Sequence, residues 1–343
     1  MNTEFHYWIT GIIAKEAGFT DDEARTIATA SEYVDENDRI FEIEGAGETK
    51  YTNYISQTMN IFKPKTDLMR IYPIFHFVPG YPDAPNSRRK DGKMHLLNTT
   101  PNSENANEMM DAAFKADEKH RLYRIGIASH AYADTWAHQN FIGWYDVFNF
   151  MGLKPLPAIG HASAAHSPDW VAYNWTDDRL VKSEISNSDR FIDAGYHLFQ
   201  KYCEYLSGQK RTDNQSKAPE LIKKLVRLMG REYSGSIEYY KEDRMKAYKT
   251  EAGFLNKFGK YDLKKQEFDE SIWFEEAIHT DVRGLKDTGH KPELFKDKYR
   301  WKDENFADTD WFKFQESVKE HQDFAMTLLE PTFSKMGIDL HKF

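Results

Sequence analysis

The chain of 343 residues sets 46 Lys and Arg against 55 Asp and Glu, a formal charge of −9, and 15% of it is aromatic. That balance gives no overall positive field for holding duplex nucleic acid, and the aromatic content excludes intrinsic disorder. The single cysteine, Cys203, excludes a disulfide framework and any cysteine-rich zinc site, and between Tyr202 and Tyr205 it reads as a small buried hydrophobe.

Residues 3 to 16 read as a first helix, ended by Gly18. A second begins at Thr20, where Glu23 three residues on forms a capping-box pattern and Ala24, Ile27, Ala28 and Tyr33 supply the apolar side. His6 falls near a helix start, and Asp35 and Asp38 near a helix end. The run Ile71-Tyr72-Pro73-Ile74-Phe75-His76-Phe77 leads into Pro79-Gly80-Tyr81-Pro82, and its prolines favour a short strand or extended loop over a helix. A polar excursion over 83 to 103 surrounds His95. Helical periodicity returns in 104 to 118 and 120 to 143, and 152 to 167 is loop-like. Helices follow at 186 to 207, 217 to 231 and 235 to 255. In 311 to 330, Trp311, Phe314, Val318, His321, Phe324 and Leu328 recur at steps of three and four. The fold class is all-α, with a helical core over 1 to 255 and a helical C-terminal extension over 256 to 343 that belongs to the same domain or stands apart. The N-terminus lacks a basic n-region and an apolar h-region, and no apolar run reaches about 18 residues. The expectation is a cytoplasmic protein, unless a signal-peptide-independent route exports it.

The chemistry concentrates in Ser129-His130-Ala131-Tyr132-Ala133-Asp134-Thr135-Trp136-Ala137-His138. On a helix each four-residue step turns a side chain by only about 40°, so His130, Asp134 and His138 look into one interior. Small apolar neighbours would leave a charged Asp134 poorly hydrated and in need of a partner. Imidazoles mixed with carboxylates suit borderline cations such as zinc. A second cluster lies in Gly160-His161-Ala162-Ser163-Ala164-Ala165-His166-Ser167-Pro168-Asp169, where His161 with either His166 or Asp169 completes a site begun by His138. His197, His279, His290 and His321 fit surfaces at least as well and are set aside.

In order along the chain, these segments resemble the zinc-dependent phospholipase C and S1/P1 nuclease superfamily, and within it an uncharacterised, DUF6765-like bacterial branch carrying a Ser-His-Ala-Tyr-Ala-Asp-Thr-Trp-Ala-His segment. The resemblance touches residues 1 to 170 and implies a multi-helix bundle with loop insertions around two or three zinc ions. It implies metal ligation by His6, Asp35, His76, His130, Asp134, His138 and His161 with His166 or Asp169, and catalytic roles for Asp35 and Asp134. His76 is preferred to His95 because Ile74, Phe75 and Phe77 anchor it. Two departures stand out. The chain begins Met1-Asn2-Thr3 where extracellular members begin with a zinc-binding tryptophan, so that the corresponding metal is either absent or held by His6 and Asp134 with another group such as Glu4 or Asp38. Position 165, four residues after His161, is alanine where the family has a carboxylate.

The activity implied is phosphodiester hydrolysis, phospholipase C-like, on a phospholipid or other phosphodiester substrate reached through transient membrane contact, with no stable duplex nucleic-acid partner. Phe75, Phe77, Tyr81, Trp136, Phe141 and Trp144 either line a groove for that substrate or belong to the core. The alternatives are a single-strand nuclease or phosphomonoesterase, and a non-catalytic zinc-stabilised module or exported effector with a loading or immunity partner.

Overall fold

The structure, a computed structural model, describes residues 1–45, 49–58, 70–152, 159–256, 268–269, 271–282 and 297–340. Parts of the segments read above as loop-like or C-terminal extension, and His290, lie outside the described residues.

The N-terminal segment enters as a π-helical turn, Glu4–Ile9, continuous with helix α1 (Thr10–Ala17). Gly18 ends α1 at φ +119°, a left-handed conformation that favours glycine. Helix α2 (Asp21–Glu36) starts with the expected capping box, Thr20 accepting from Glu23 N–H while the Glu23 carboxylate accepts from Thr20 N–H. Helices α3 (Glu104–Phe114) and α4 (Arg121–Ala137) follow, then α5 (Asn187–Gly208), α6 (Ala218–Met229), α7 (Lys241–Glu251), α8 (Ser271–Ala277) and α9 (Asp310–Lys335).

Helix α4 is the axis. Every residue from Tyr123 to Ala137 is buried, so it has no solvent face, and α2, α3, α5 and α9 pack around it. Its contact with α2 is close because Gly126 has no side chain: a Cβ there would lie 2.6 Å from both Ala30 Cβ and Ile27 O. On α9 the buried stripe runs through Trp311, Phe314, Val318 and His321, then shifts to Ala325, Leu329 and Phe333. Phe324 and Leu328 are only partly buried, because a period of 3.6 drifts away from fixed steps of three and four. Cys203 is buried on α5.

The protein is mostly helical, as the all-α expectation has it, with one correction: it also carries small sheets. Strands β1 (Glu42–Glu44) and β2 (Lys50–Thr52) pair antiparallel, β1 pairs parallel with β6 (Lys298–Trp301), and β6 pairs antiparallel with β5 (Ile278–Asp281). A two-stranded sheet joins β3 (Asn174–Thr176) to β4 (Glu184–Ser186). The alternating apolar pattern in these strands spans only three or four residues, too short to stand out from loop sequence.

A second correction concerns 71 to 77. Tyr72–His76 is a π-helical turn with Pro73 in its first two positions, where a missing N–H leaves no hydrogen bond unmade. Among the described residues no helix is long and apolar enough to cross a membrane.

Candidate metal centre

Asp134 projects from the last turn of α4 into a cluster assembled from five segments. The π-helical turn after Thr3 presents His6, and the last turn of α2 presents Asp35. The Tyr72–His76 turn presents His76, α4 presents His130 and ends on His138, and the turn around Ala162–Ala164 brings His161 and Asp169. Gly160, at φ +50°, lets that turn approach: a Cβ there would meet the Phe77 ring at 2.6 Å.

Asp134 Oδ1 lies 3.2 Å from His6 Nε2, and Oδ2 lies 3.3 Å from His130 Nε2 and 3.4 Å from both His76 Nδ1 and His138 Nδ1. Asp35 Oδ1 is 3.7 Å from His76 Nδ1 and from His130 Nε2. Asp169 Oδ1 is 3.0 Å from His138 Nε2, and its Oδ2 is 3.4 Å from His161 Nε2. The α-amino group of Met1 lies between Asp134 and Asp169, ion-paired to both.

Four of the histidines are oriented from behind by backbone carbonyls. His130 Nδ1 donates to Ser31 O at 2.8 Å, His76 Nε2 to Ser56 O at 2.9 Å, His138 Nδ1 to His76 O at 2.6 Å and His161 Nδ1 to Ala165 O at 2.9 Å. A carbonyl only accepts, so each ring spends its N–H there and, when neutral, turns a lone pair inward. With both rings neutral, His130 Nε2 and His76 Nδ1 face each other as two acceptors at 3.2 Å, while the burial of His76 is outweighed by Asp134 and Asp35, which raise it above its ordinary value, toward the protonated form. Both ring nitrogens of His6 and Asp134 Oδ2 are buried with no hydrogen-bond partner among the described residues. Carbonyl-oriented imidazoles whose free nitrogens converge on carboxylates are how proteins prepare metal ligands.

The electrostatics fit this picture. Burial works against a charged Met1 amine, yet Asp134, Asp169 and Asp35 outweigh it and push the group up to about 10. Burial, His130 and the amine hold His6 down to about 3. Burial raises Asp134, but His138, the amine, His130 and His6 bring it well below the usual carboxylate range. Asp169 is lowered despite its burial by His161, the amine and His138, and Asp35 likewise by His130 and His76. Three ionised carboxylates in a poorly hydrated pocket therefore attract cations.

Among the described residues, three groupings could hold a metal ion: His6 with His130 and Asp134; Asp35 with His76 and His130; and His138 with His161 and Asp169, each with donor atoms within 4.8 Å of one another. His166 is not among them; it is exposed and stacked on Trp170 at 5.8 Å, and it is Asp169 that lies with His138 and His161. His95 lies elsewhere, against Phe148 and 3.9 Å from Asp146. Neither residue expected to assist His6 does so: Glu4 is bound by Arg244 at 2.7 Å and Asp38 is beside Arg39.

Sequence reading missed the Met1 amine and Glu32. Glu32 is buried, accepts from Thr3 Oγ1 at 2.6 Å, and is raised well above its usual range by burial and Asp35. Its place one turn before Asp35 on α2 was the available signal. Of the aromatics named above, Phe75, Trp136 and Phe141 belong to the core, Phe77 is buried and stacks on His138 at 4.5 Å, Trp144 is partly buried, and Tyr81 is exposed.

The fold and cluster define a mostly helical protein with a multi-histidine, multi-carboxylate centre suited to metal ions. The chain belongs to DUF6765, a family of unknown function whose model matches residues 1–329. Comparisons with curated proteins and with solved structures returned no match.

Proposed function

We propose that this chain is a zinc-dependent phosphoric ester hydrolase, phospholipase C-like in its preference for a phospholipid. The observation that carries the reading is the opposition of His130 Nε2 and His76 Nδ1, two acceptors 3.2 Å apart that a cation would satisfy together. The mixed imidazole and carboxylate donors suit zinc better than the all-oxygen set favoured by magnesium or calcium. When bound, two or three zinc ions would acidify water and offset charge on phosphoryl oxygens.

The chain's own residues have distinct tasks. Asp134, with its two oxygens turned to different histidines, would link the groupings on either side of it. Asp35 and Asp169 are partly exposed, 29% and 15%, so the cluster has an open side where a phosphate ester could enter. On that side Asp35 would orient the attacking water and accept its proton. A structural zinc site is normally closed by four protein ligands, and this accessibility together with the number of donors favours hydrolysis over a non-catalytic module. A net charge of −9 favours a phospholipid over a long polyanion.

The test sets wild type beside His130→Ala and Asp134→Asn on diacyl phospholipids, single-stranded nucleic acid, a phosphomonoester and bis-p-nitrophenyl phosphate. Zinc-dependent release of diacylglycerol that both substitutions abolish is the expected result. Cleavage of nucleic acid or of the monoester alone would reassign the substrate, and equal turnover by all three proteins would end the reading.

A further inference from the structure

The loop framework that carries His161 also carries an exposed apolar and basic rim, and we infer that this rim is a docking surface for a bilayer containing anionic phospholipid. Its part in catalysis rests on the phospholipase reading above; the binding itself does not.

The rim is built around the short 3-10 turn Val147–Asn149, which is held rigidly. Asp146 accepts from Phe148 N–H at 2.7 Å, and buried Asn149 accepts from Ile142 N–H at 2.9 Å while donating to Ile142 O and Trp144 O at 3.0 and 2.8 Å. This frame leaves Val147 74% and Phe150 40% exposed. Two neighbouring segments add apolar surface. Met94 and Leu96 flank His95, whose ring lies 5.4 Å from that of Phe148, and Val181 bonds to Arg88 O through its N–H at 2.9 Å. Met94 and Val181 are 66% and 61% exposed. Arg89 and Arg179 both donate to Phe148 O, at 2.9 and 3.0 Å, which ties the three segments together. Large apolar side chains grouped on a rigid rim are uncommon on a surface that meets only water.

The charge on these segments argues for a lipid surface. Residues 88–96, 146–150 and 177–182 hold six basic groups (Arg88, Arg89, Lys90, Lys93, Arg179, Lys182) against four acidic ones (Asp91, Asp146, Asp177, Asp178), a net of +2 in a chain of net −9. Arg88, Lys90, Lys93 and Lys182 are exposed, whereas Asp177 is buried and paired with Arg179. Apolar side chains that enter the headgroup region, bordered by lysine and arginine, match an anionic interface. The rim is also continuous with the cation cluster. Ser163 Oγ donates to Asn149 O at 2.9 Å, Gly160 N–H to Ile142 O at 3.1 Å, and the Phe141 ring lies 6.0 Å from that of His161.

The experiment measures co-sedimentation of the full chain with vesicles of phosphatidylcholine, with and without phosphatidylglycerol, and separately its turnover of soluble bis-p-nitrophenyl phosphate. The variants are Val147→Asp/Phe150→Asp and Lys90→Glu/Lys93→Glu, with Ile237→Asp, an exposed apolar residue elsewhere, as control. Wild type and control should bind the anionic vesicles, and each rim variant should bind about tenfold or more weakly while keeping soluble turnover and melting temperature. Absence of wild-type binding, unchanged binding by the rim variants, or a self-association that Val147→Asp abolishes would overturn the proposal. Vesicle binding without any phosphodiester turnover would instead sink the hydrolase reading and leave the docking surface standing.

Discussion

His130 Nδ1 donates to Ser31 O at 2.8 Å, so the imidazole at the centre of the cluster on α4 is aimed by the backbone of α2. The separation of these two helices therefore sets the direction of the His130 lone pair. Packing and chemistry meet at this bond.

Gly126→Ala tests that coupling. The added methyl would stand 2.6 Å from Ala30 Cβ and 3.0 Å from Ser31 N, so α2 must move away. Overpacking of this kind costs about 1–3 kcal/mol, and the displaced Ser31 carbonyl would release the His130 ring. Thermal melts should show the loss of stability and isothermal titration a weaker zinc affinity. An unchanged zinc affinity in the destabilised variant would show that the helix contact does not aim the ligand.

Arg244→Ala addresses the N-terminal segment that carries His6. Arg244 Nε and Nη2 hold the Glu4 carboxylate at 2.7 and 2.9 Å, and both residues are buried. Removing the guanidinium strands a buried carboxylate, a loss of about 3–5 kcal/mol. Denaturant unfolding should register that loss, and Glu4→Gln/Arg244→Met, which removes both buried charges and leaves Glu238 to Lys241 at 3.3 Å, should recover much of it. A single variant with wild-type stability would contradict the account of this pair.

His321 gives a pH signature away from the carboxylates. Burial, then the charge of Arg124, holds its imidazole down to about 3 from an ordinary 6.5. Above pH 6.5 the group is neutral in both states and costs nothing. As pH falls from there toward 3, the unfolded chain takes up a proton that the folded chain refuses, so stability falls. In chelator-treated protein, His321→Leu should flatten part of that acid-side slope by up to roughly 1.4 kcal/mol per pH unit, His6 supplying a similar share in both proteins. Parallel stability curves for the two proteins below pH 6 would show that His321 is not buried neutral.

Part of the candidate cluster could be read from the sequence because Asp35, His130, Asp134 and His138 sit on or at the end of regular helices. The His130, Asp134 and His138 spacing follows from helix geometry, and Asp35 follows from the Thr20 capping box that fixes the start of α2. The Tyr72–His76 turn was misread because Pro79 and Pro82 bar a helix only from the residues next to them, and Pro73 is harmless in a first turn. Asp169 could not be separated from His166 because the difference arises from a loop: the His166 ring stacks on Trp170 while Asp169 turns toward His138 and His161. The parallel pairing of β1 with β6 joins residues more than 250 positions apart, a long-range contact that no local pattern encodes.

The central claim is that the inward lone pairs of this cluster hold cations. Elemental analysis after zinc loading and exhaustive dialysis tests it most directly, with Asp134→Asn measured beside wild type and circular dichroism confirming that both are folded. Two or three zinc ions per wild-type chain, and at least one fewer in the variant, is the expected result. A folded wild-type chain that retains no divalent ion, or a variant that retains as many as wild type, would contradict it.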